Sequence, residues 1–239
     1  MIETFTALFF AHVIADFVLQ TAWINAQKRR APVMLLHGAL VLVCAQAATG
    51  QWASPWLLAL AAAHVVIDAL KIWGGFHHFR GFMVDQAAHV ATLAIISFYA
   101  PHLWATGLWT ALPVLLPLMV LTSGLLVTLI TGQYAIALLM RPHGYRIRNN
   151  GLREGGRQIG LLERGVIFAL ILLGQPIGVG FLIGAKSILR FGTATRDQRT
   201  AEYVIIGTLA SFGWAILTAE ATRRALSILP PLEIVPLLP

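Results

Sequence analysis

The chain repeats a short string of side chains that ligate metals. Ala11-His12-Val13-Ile14-Ala15-Asp16 returns as Ala63-His64-Val65-Val66-Ile67-Asp68, 52 residues later. The same interval separates His37 from His89. Each copy lies in an apolar stretch of membrane-spanning length, where imidazoles and carboxylates are costly to bury. The spacing His-x-x-x-Asp puts both side chains on one helix face, one turn apart, so one helix can offer two donors to one ion. Asp85-Gln86-Ala87-Ala88-His89 adds a third carboxylate–imidazole pair in reversed order. Imidazoles mixed with carboxylates suit zinc, manganese or iron(II) better than calcium or magnesium, which prefer oxygen shells. The expected donors are His12, Asp16, His37, His64, Asp68, Asp85 and His89, holding one or two divalent transition-metal ions, with zinc foremost. These donors exceed one tetrahedral shell, so either two ions bind or some residues orient the others. A surplus of this kind facing an aqueous mouth favours an open catalytic site over a closed structural one. The structural alternative is a polar network that merely sets helix packing.

Composition says what must position these residues. The 239 residues are 58% hydrophobic and 11% charged, with a mean hydropathy of +0.76. A soluble domain carries about 25% charged residues. The expected fold is therefore all-α, a polytopic transmembrane helical bundle of about six or seven spans. No basic segment precedes the first apolar run, which reads as a retained helix and not a cleaved signal. The single cysteine, Cys44, excludes an intrachain disulfide. The net charge of +7 lies between apolar segments, which points to topology control and anionic lipid headgroups and away from nucleic acid.

Apolar runs cover about Thr4–Trp23, Val33–Thr49, Trp56–Trp73 and Val84–Tyr99, and a longer one Leu112–Met140 starts with a Pro-broken turn. Residues 1–105 form a four-helix repeat carrying the His/Asp site, and residues 106–239 a second helical half with a basic loop at 141–158. The positive-inside rule puts Lys28–Arg30 and that loop in the cytoplasm and the N-terminus outside. Gly174-Gln175-Pro176 interrupts the apolar stretch 166–183, and a re-entrant helical hairpin there would return the following positives to the cytoplasm. Counting rises of about 1.5 Å per residue brings Asp16, His37, Asp68 and His89 to one level in the inner half of the bilayer, with His12 and His64 deeper. A two-span repeat preserves orientation, so the halves should be related by a pseudo-two-fold axis along the membrane normal.

Other polar residues border this mouth. Gln20 and Lys71 lie one turn below Asp16 and Asp68, and Lys71 could take an anionic group or simply snorkel to the interface. Arg164, Lys186 and Arg190 would form an anion site around a lipid headgroup, or interfacial ion pairs with neighbouring acids.

These residues, with Asp16-Phe17-Val18-Leu19-Gln20, Gly160-Leu161-Leu162-Glu163-Arg164 and Gly184-Ala185-Lys186-Ser187, resemble a family of bacterial inner-membrane proteins known only as a domain of unknown function. The resemblance implies localisation in the inner membrane and supplies no activity. In residue types alone, the His/Asp pairs are similar to membrane-bound metal-dependent hydrolases. The leading expectation is a metal-dependent hydrolase acting on a lipid-like or membrane-embedded substrate, with Asp85 as a candidate general base. The alternatives are a transporter or channel for protons or divalent metal ions, or a b-type haem protein with facing imidazoles. Substrate and oligomeric state stay open.

Overall fold

The computed structural model describes residues 1–146, 154–191 and 198–229. Among them, six helices are long and apolar enough to cross a membrane. The chain is a multi-pass helical membrane protein. It divides into two compact units, Met1–Ser123 joined by the described residues 225–229, and Gly124–Arg224. The first unit therefore extends past the expected boundary at residue 105.

In the first unit, α1 (Ile2–Ile14) runs on into a π turn at Ala15–Leu19. A short α2 (Ala22–Gln27) follows, with Thr21 at its N-cap accepting the Ile24 N–H at 3.3 Å. Then come α3 (Ala31–Thr49), α4 (Pro55–Trp73) and α5 (Phe79–Tyr99). Prolines open α3 and α4, where a missing N–H costs nothing. Gly50 stops α3 in the left-handed conformation at φ 67°, which a side chain would disfavour.

One end of this unit is an apolar core. Leu8, Leu57, Leu60, Leu93, Ile96 and Trp104 are buried together there. The segment after α5 closes over that end. The Thr4 hydroxyl donates to Pro101 O at 2.8 Å and accepts the Trp104 N–H at 3.3 Å, and the Trp109 indole donates to Ala47 O at 2.7 Å. The opposite end, where α1 and α4 finish and α3 and α5 begin, holds the polar residues.

The boundary between the units falls within α6 (Leu115–Leu126). The second unit continues through a π turn at Val127–Thr131, α7 (Gly132–Met140) and a 3-10 turn at Arg141–Arg146. After it come α8 (Gly155–Leu172), α9 (Pro176–Phe191) and α10 (Gln198–Ile228). Two helices meet at a turn where the hairpin was expected. Gly174 adopts φ 70° between α8 and α9, and Pro176 opens α9. The expected basic loop at 141–158 is shorter at both edges, because Arg141–Arg146 is a helical turn and α8 starts at Gly155. Arg148 and Arg153 lie outside the described residues.

Candidate metal centre

Each of the four long helices of the first unit delivers its donors near the same end. Asp16 sits in the π turn that ends the first span, and such turns widen a helix locally and recur at functional sites. His37 comes from the second turn of α3, His64 and Asp68 from the last half of α4, and Asp85 and His89 from the first half of α5. His12, His37, His64, Asp68, Asp85 and His89 are all buried, and Asp16 nearly so.

Among the described residues three sets of donors could each hold an ion: His12, His64 and His89; Asp68, Asp85 and His89; and Asp16, His37 and His64. Asp16 Oδ1 lies 3.2 Å from His37 Nε2 and 3.3 Å from His64 Nε2, and the two nitrogens are 3.1 Å apart. Asp68 Oδ2 approaches the same two nitrogens at 3.5 and 3.4 Å. A tetrahedron's edge is about 1.6 times its centre-to-corner distance, so donors about 2.0–2.1 Å from zinc stand about 3.3–3.4 Å apart. Adjacent donors on an octahedral ion stand about 3.0 Å apart by the same geometry at about 2.1 Å. The observed triangle falls in this window. Asp16 Oδ1 is also buried without a hydrogen-bond partner, an expensive state that an ion on that oxygen would relieve. Residues and spacing thus fit zinc, manganese or iron(II).

This differs from the expected levels. His64, not His89, joins His37 beside Asp16 and Asp68. Helices α3 and α4 approach closely at Gly38, where an added Cβ would collide with the Val65 side chain. His37 and His64 are the chain neighbours of these two contact residues. Gly38→Ala is expected to push the helices apart and weaken metal uptake by at least about tenfold, measured by metal analysis of the purified variant.

Two lysines neutralise the carboxylates. Lys28 Nζ donates to Asp68 Oδ2 at 2.7 Å and to Gln20 Oε1 at 2.6 Å. Lys71 Nζ donates to Asp85 Oδ2 at 2.6 Å. Lys28 was read from the sequence only as an orientation signal, yet it is buried. The signal that could have found it is the turn forced between Gln20 and α2, which folds Lys28 back toward the carboxylates. Gln20 thereby supports Lys28.

A second chain of contacts orients His12. The Gln86 amide nitrogen donates to Asp85 Oδ2 at 3.2 Å, so its oxygen faces His12 Nε2 at 3.3 Å. Nε2 must then carry the proton, which leaves Nδ1 bare, 3.9 Å from Asp16 Oδ2. Gln86 was not among the expected site residues. His89 stacks on His64 with ring centroids 4.0 Å apart, and its Nε2 lies 3.6 Å from Asp85 Oδ1. Both of those atoms are buried without a hydrogen-bond partner. A small cavity with room for about one water is bounded by His12, His64 and His89, with Leu8, Leu60 and Leu93 completing its wall.

Two of the residues expected to hold an anion in the second unit have partners within the protein. Arg164 donates from Nε to Thr128 O at 3.0 Å, from one terminal nitrogen to Leu129 O at 3.1 Å and from the other to Ser211 Oγ at 3.1 Å. It caps carbonyls released by the π turn. Lys186 pairs with Glu163 at 2.5 Å and lies 5.0 Å from the Phe212 ring centre, the ion-pair alternative read from the sequence. The Arg190 side chain lies outside the described residues.

Residues 4–116 match a family described as "Protein of unknown function (DUF3307)". The DUF3307 match contains every donor described above, and with Lys28, Lys71 and Gln86 it takes in the whole centre. The second-unit residues quoted for the resemblance fall beyond it. No curated protein and no solved structure matches the chain.

Proposed function

We propose that the first unit is a one-ion hydrolytic centre, set in the cytoplasmic half of a bacterial inner membrane and acting on a lipid-like substrate. The observation that carries this reading is the triangle of Asp16 Oδ1, His37 Nε2 and His64 Nε2 with edges of 3.1–3.3 Å. Asp16, His37 and His64 hold the ion, and Asp68 stands beside them as a fourth donor steadied by Lys28. A bound divalent ion supplies Lewis acidity toward the scissile group and makes a nearby water more acidic.

The protein residues supply the rest. Asp85 and His89 form the proton-handling pair, because Asp85 Oδ1 and His89 Nε2 are unpartnered and face one another. Lys71 and Gln86 hold the other Asp85 oxygen in place. The lysines and arginines within residues 1–123 are Lys28, Arg29, Arg30, Lys71 and Arg80, all at the end that carries the centre. By the positive-inside rule this end faces the cytoplasm and the N-terminus lies outside.

The transport alternative needs a polar path through the other half of the unit. That half holds Leu8, Leu57, Leu60, Ile96 and Trp104, and its buried Thr4, Thr49 and Ser97 hydroxyls are bonded to backbone carbonyls, which supports a centre reached from one side. The haem alternative places iron on imidazole nitrogens that Asp16 and Asp68 oxygens approach at 3.2–3.5 Å, leaving no room for a porphyrin face.

The test is metal analysis of the gently purified full chain, followed by hydrolysis assays on lipid-like ester and phosphoester probes, with and without the restored ion. About one equivalent of transition metal and ion-dependent hydrolysis are expected. Less than half an equivalent, with no uptake on reconstitution, refutes the reading. Asp85→Asn is expected to retain the ion while hydrolysis falls at least about 100-fold, the usual share of a general base. Equal hydrolysis by this variant would remove Asp85 from proton handling.

A further inference from the structure

The centre's charges do not balance once an ion is bound, and the imbalance names the substrate class. Asp16, Asp68 and Asp85 contribute three negative charges to one buried cluster. Lys28 and Lys71 return two positive charges through contacts of 2.7 and 2.6 Å. Imidazoles that ligate an ion, or share its shell, are neutral. With those imidazoles neutral, a divalent ion makes the cluster one charge positive. A buried net charge is costly unless paired. A second divalent ion would leave three positive charges to compensate, which weighs against two-ion occupancy.

We infer that the loaded centre takes a phosphate group. This rests on the one-ion reading above. An anion restores neutrality, and the surroundings favour a phosphate over a lone carboxylate. Cations lie at the end of the unit that carries the centre: Lys71 is half-buried, and Arg29, Arg30 and Arg80 are exposed. Several cations at one end raise the local concentration of multiply charged anions there. Lys71 carries three N–H donors, and the Asp85 carboxylate takes one of them. The ammonium thus bridges the proton-handling carboxylate and the approaching anion. Trp23, Val18 and Leu19 are exposed at this end, on and before α2, as an interfacial anchor requires. A phosphate at the end of an apolar chain would meet both surfaces at once.

The experiment uses the purified full chain in a maltoside detergent, free of phospholipid, in stripped and zinc-loaded forms. Three probes are titrated: inorganic phosphate, a long-chain alkyl phosphate, and the long-chain alcohol of equal length. Binding is read by calorimetry and by phosphorus NMR line broadening, so no turnover is needed. The loaded protein is expected to bind both phosphates at least about tenfold more tightly than the stripped protein does. Tighter binding of the alkyl phosphate than of inorganic phosphate identifies a lipid source. The reverse order identifies free phosphate. Lys71→Met is expected to weaken phosphate binding about tenfold at unchanged zinc content, while Lys71→Arg retains it. Equal phosphate binding by the loaded and stripped forms, with about one zinc bound, overturns this inference and leaves the one-ion centre standing. Preference for the alcohol also overturns it. A chain that takes up no zinc at all fails the earlier reading, and this one with it.

Discussion

His37→Ala is expected to lose the metal altogether, with uptake at least about 100-fold weaker than in the unaltered protein and hydrolysis at background. The second-nearest neighbours of a metal commonly change affinity by about 10–100-fold when altered, and His37 is placed as a direct donor. Its side chain is fully buried, and its Nε2 stands within 3.5 Å of Asp16, His64 and Asp68 atoms. No other nitrogen on α3 reaches that spot. The same measurement on His78→Ala, an exposed residue before α5, serves as the control and should show one equivalent. If His37→Ala retains its ion, the Asp16–His37–His64 triangle is not the centre. A thermal melt separates loss of the ion from loss of the fold, since the cavity left by one imidazole costs about 2–4 kcal/mol and should not unfold the unit.

Much of this arrangement was legible because membrane burial makes polar residues conspicuous. The repeated His-x-x-x-Asp strings and the reversed Asp85–His89 pair stood out against hydrocarbon. The turn at Gly174–Pro176 was legible for a local reason, since proline starts a helix well and glycine ends one. The pairing inside the cluster was not. Depth counting assumes straight helices with equal rise, whereas a π turn carries Asp16 and Gly38 lets α3 sit closer to α4. Both displacements act sideways, a dimension that a one-dimensional count lacks. Lys28 was hidden for a similar reason. In sequence it heads a basic run, which is the ordinary signature of an exposed interface, and only the fold-back after Gln20 buries it. Gln86 was invisible because an amide has no charge to betray it, although it sets the tautomer of His12 through Asp85.

Arg164 illustrates how the same residue type changes meaning with its partners, and its removal should be the most destabilising substitution in the second unit. A guanidinium in an apolar helix suggests an anion. In the fold it is buried, and its nitrogens reach Thr128 O, Leu129 O and Ser211 Oγ at 3.0–3.1 Å. The π turn at Val127–Thr131 frees carbonyls from the regular helical ladder, and in hydrocarbon no water replaces the lost donors. Trp214 completes the cap by donating its indole N–H to Val127 O at 3.0 Å. Gly132 makes room for both caps, since a Cβ there would stand 2.7 Å from the indole and 3.3 Å from the Arg164 side chain. Arg164→Ala takes a donor from two carbonyls and a hydroxyl, of which Leu129 O still accepts the Gly132 N–H, so at about 1–3 kcal/mol per unsatisfied group a loss of roughly 2–5 kcal/mol is expected. Trp214→Phe removes one bond and should cost about 1–2 kcal/mol. Arg164→Lys keeps the charge but not the planar fork, and should fall between the two. Thermal melts of the detergent-solubilised variants rank these effects. A ranking in which Arg164→Ala melts with the unaltered protein would mean the π turn needs no cap. Metal content gives the independent check. Every proposed donor lies in the first unit, so the Arg164 variants that fold should still bind about one equivalent. A loss of metal on Arg164→Lys, with the fold retained, would instead return this residue to the chemistry that its charge first suggested.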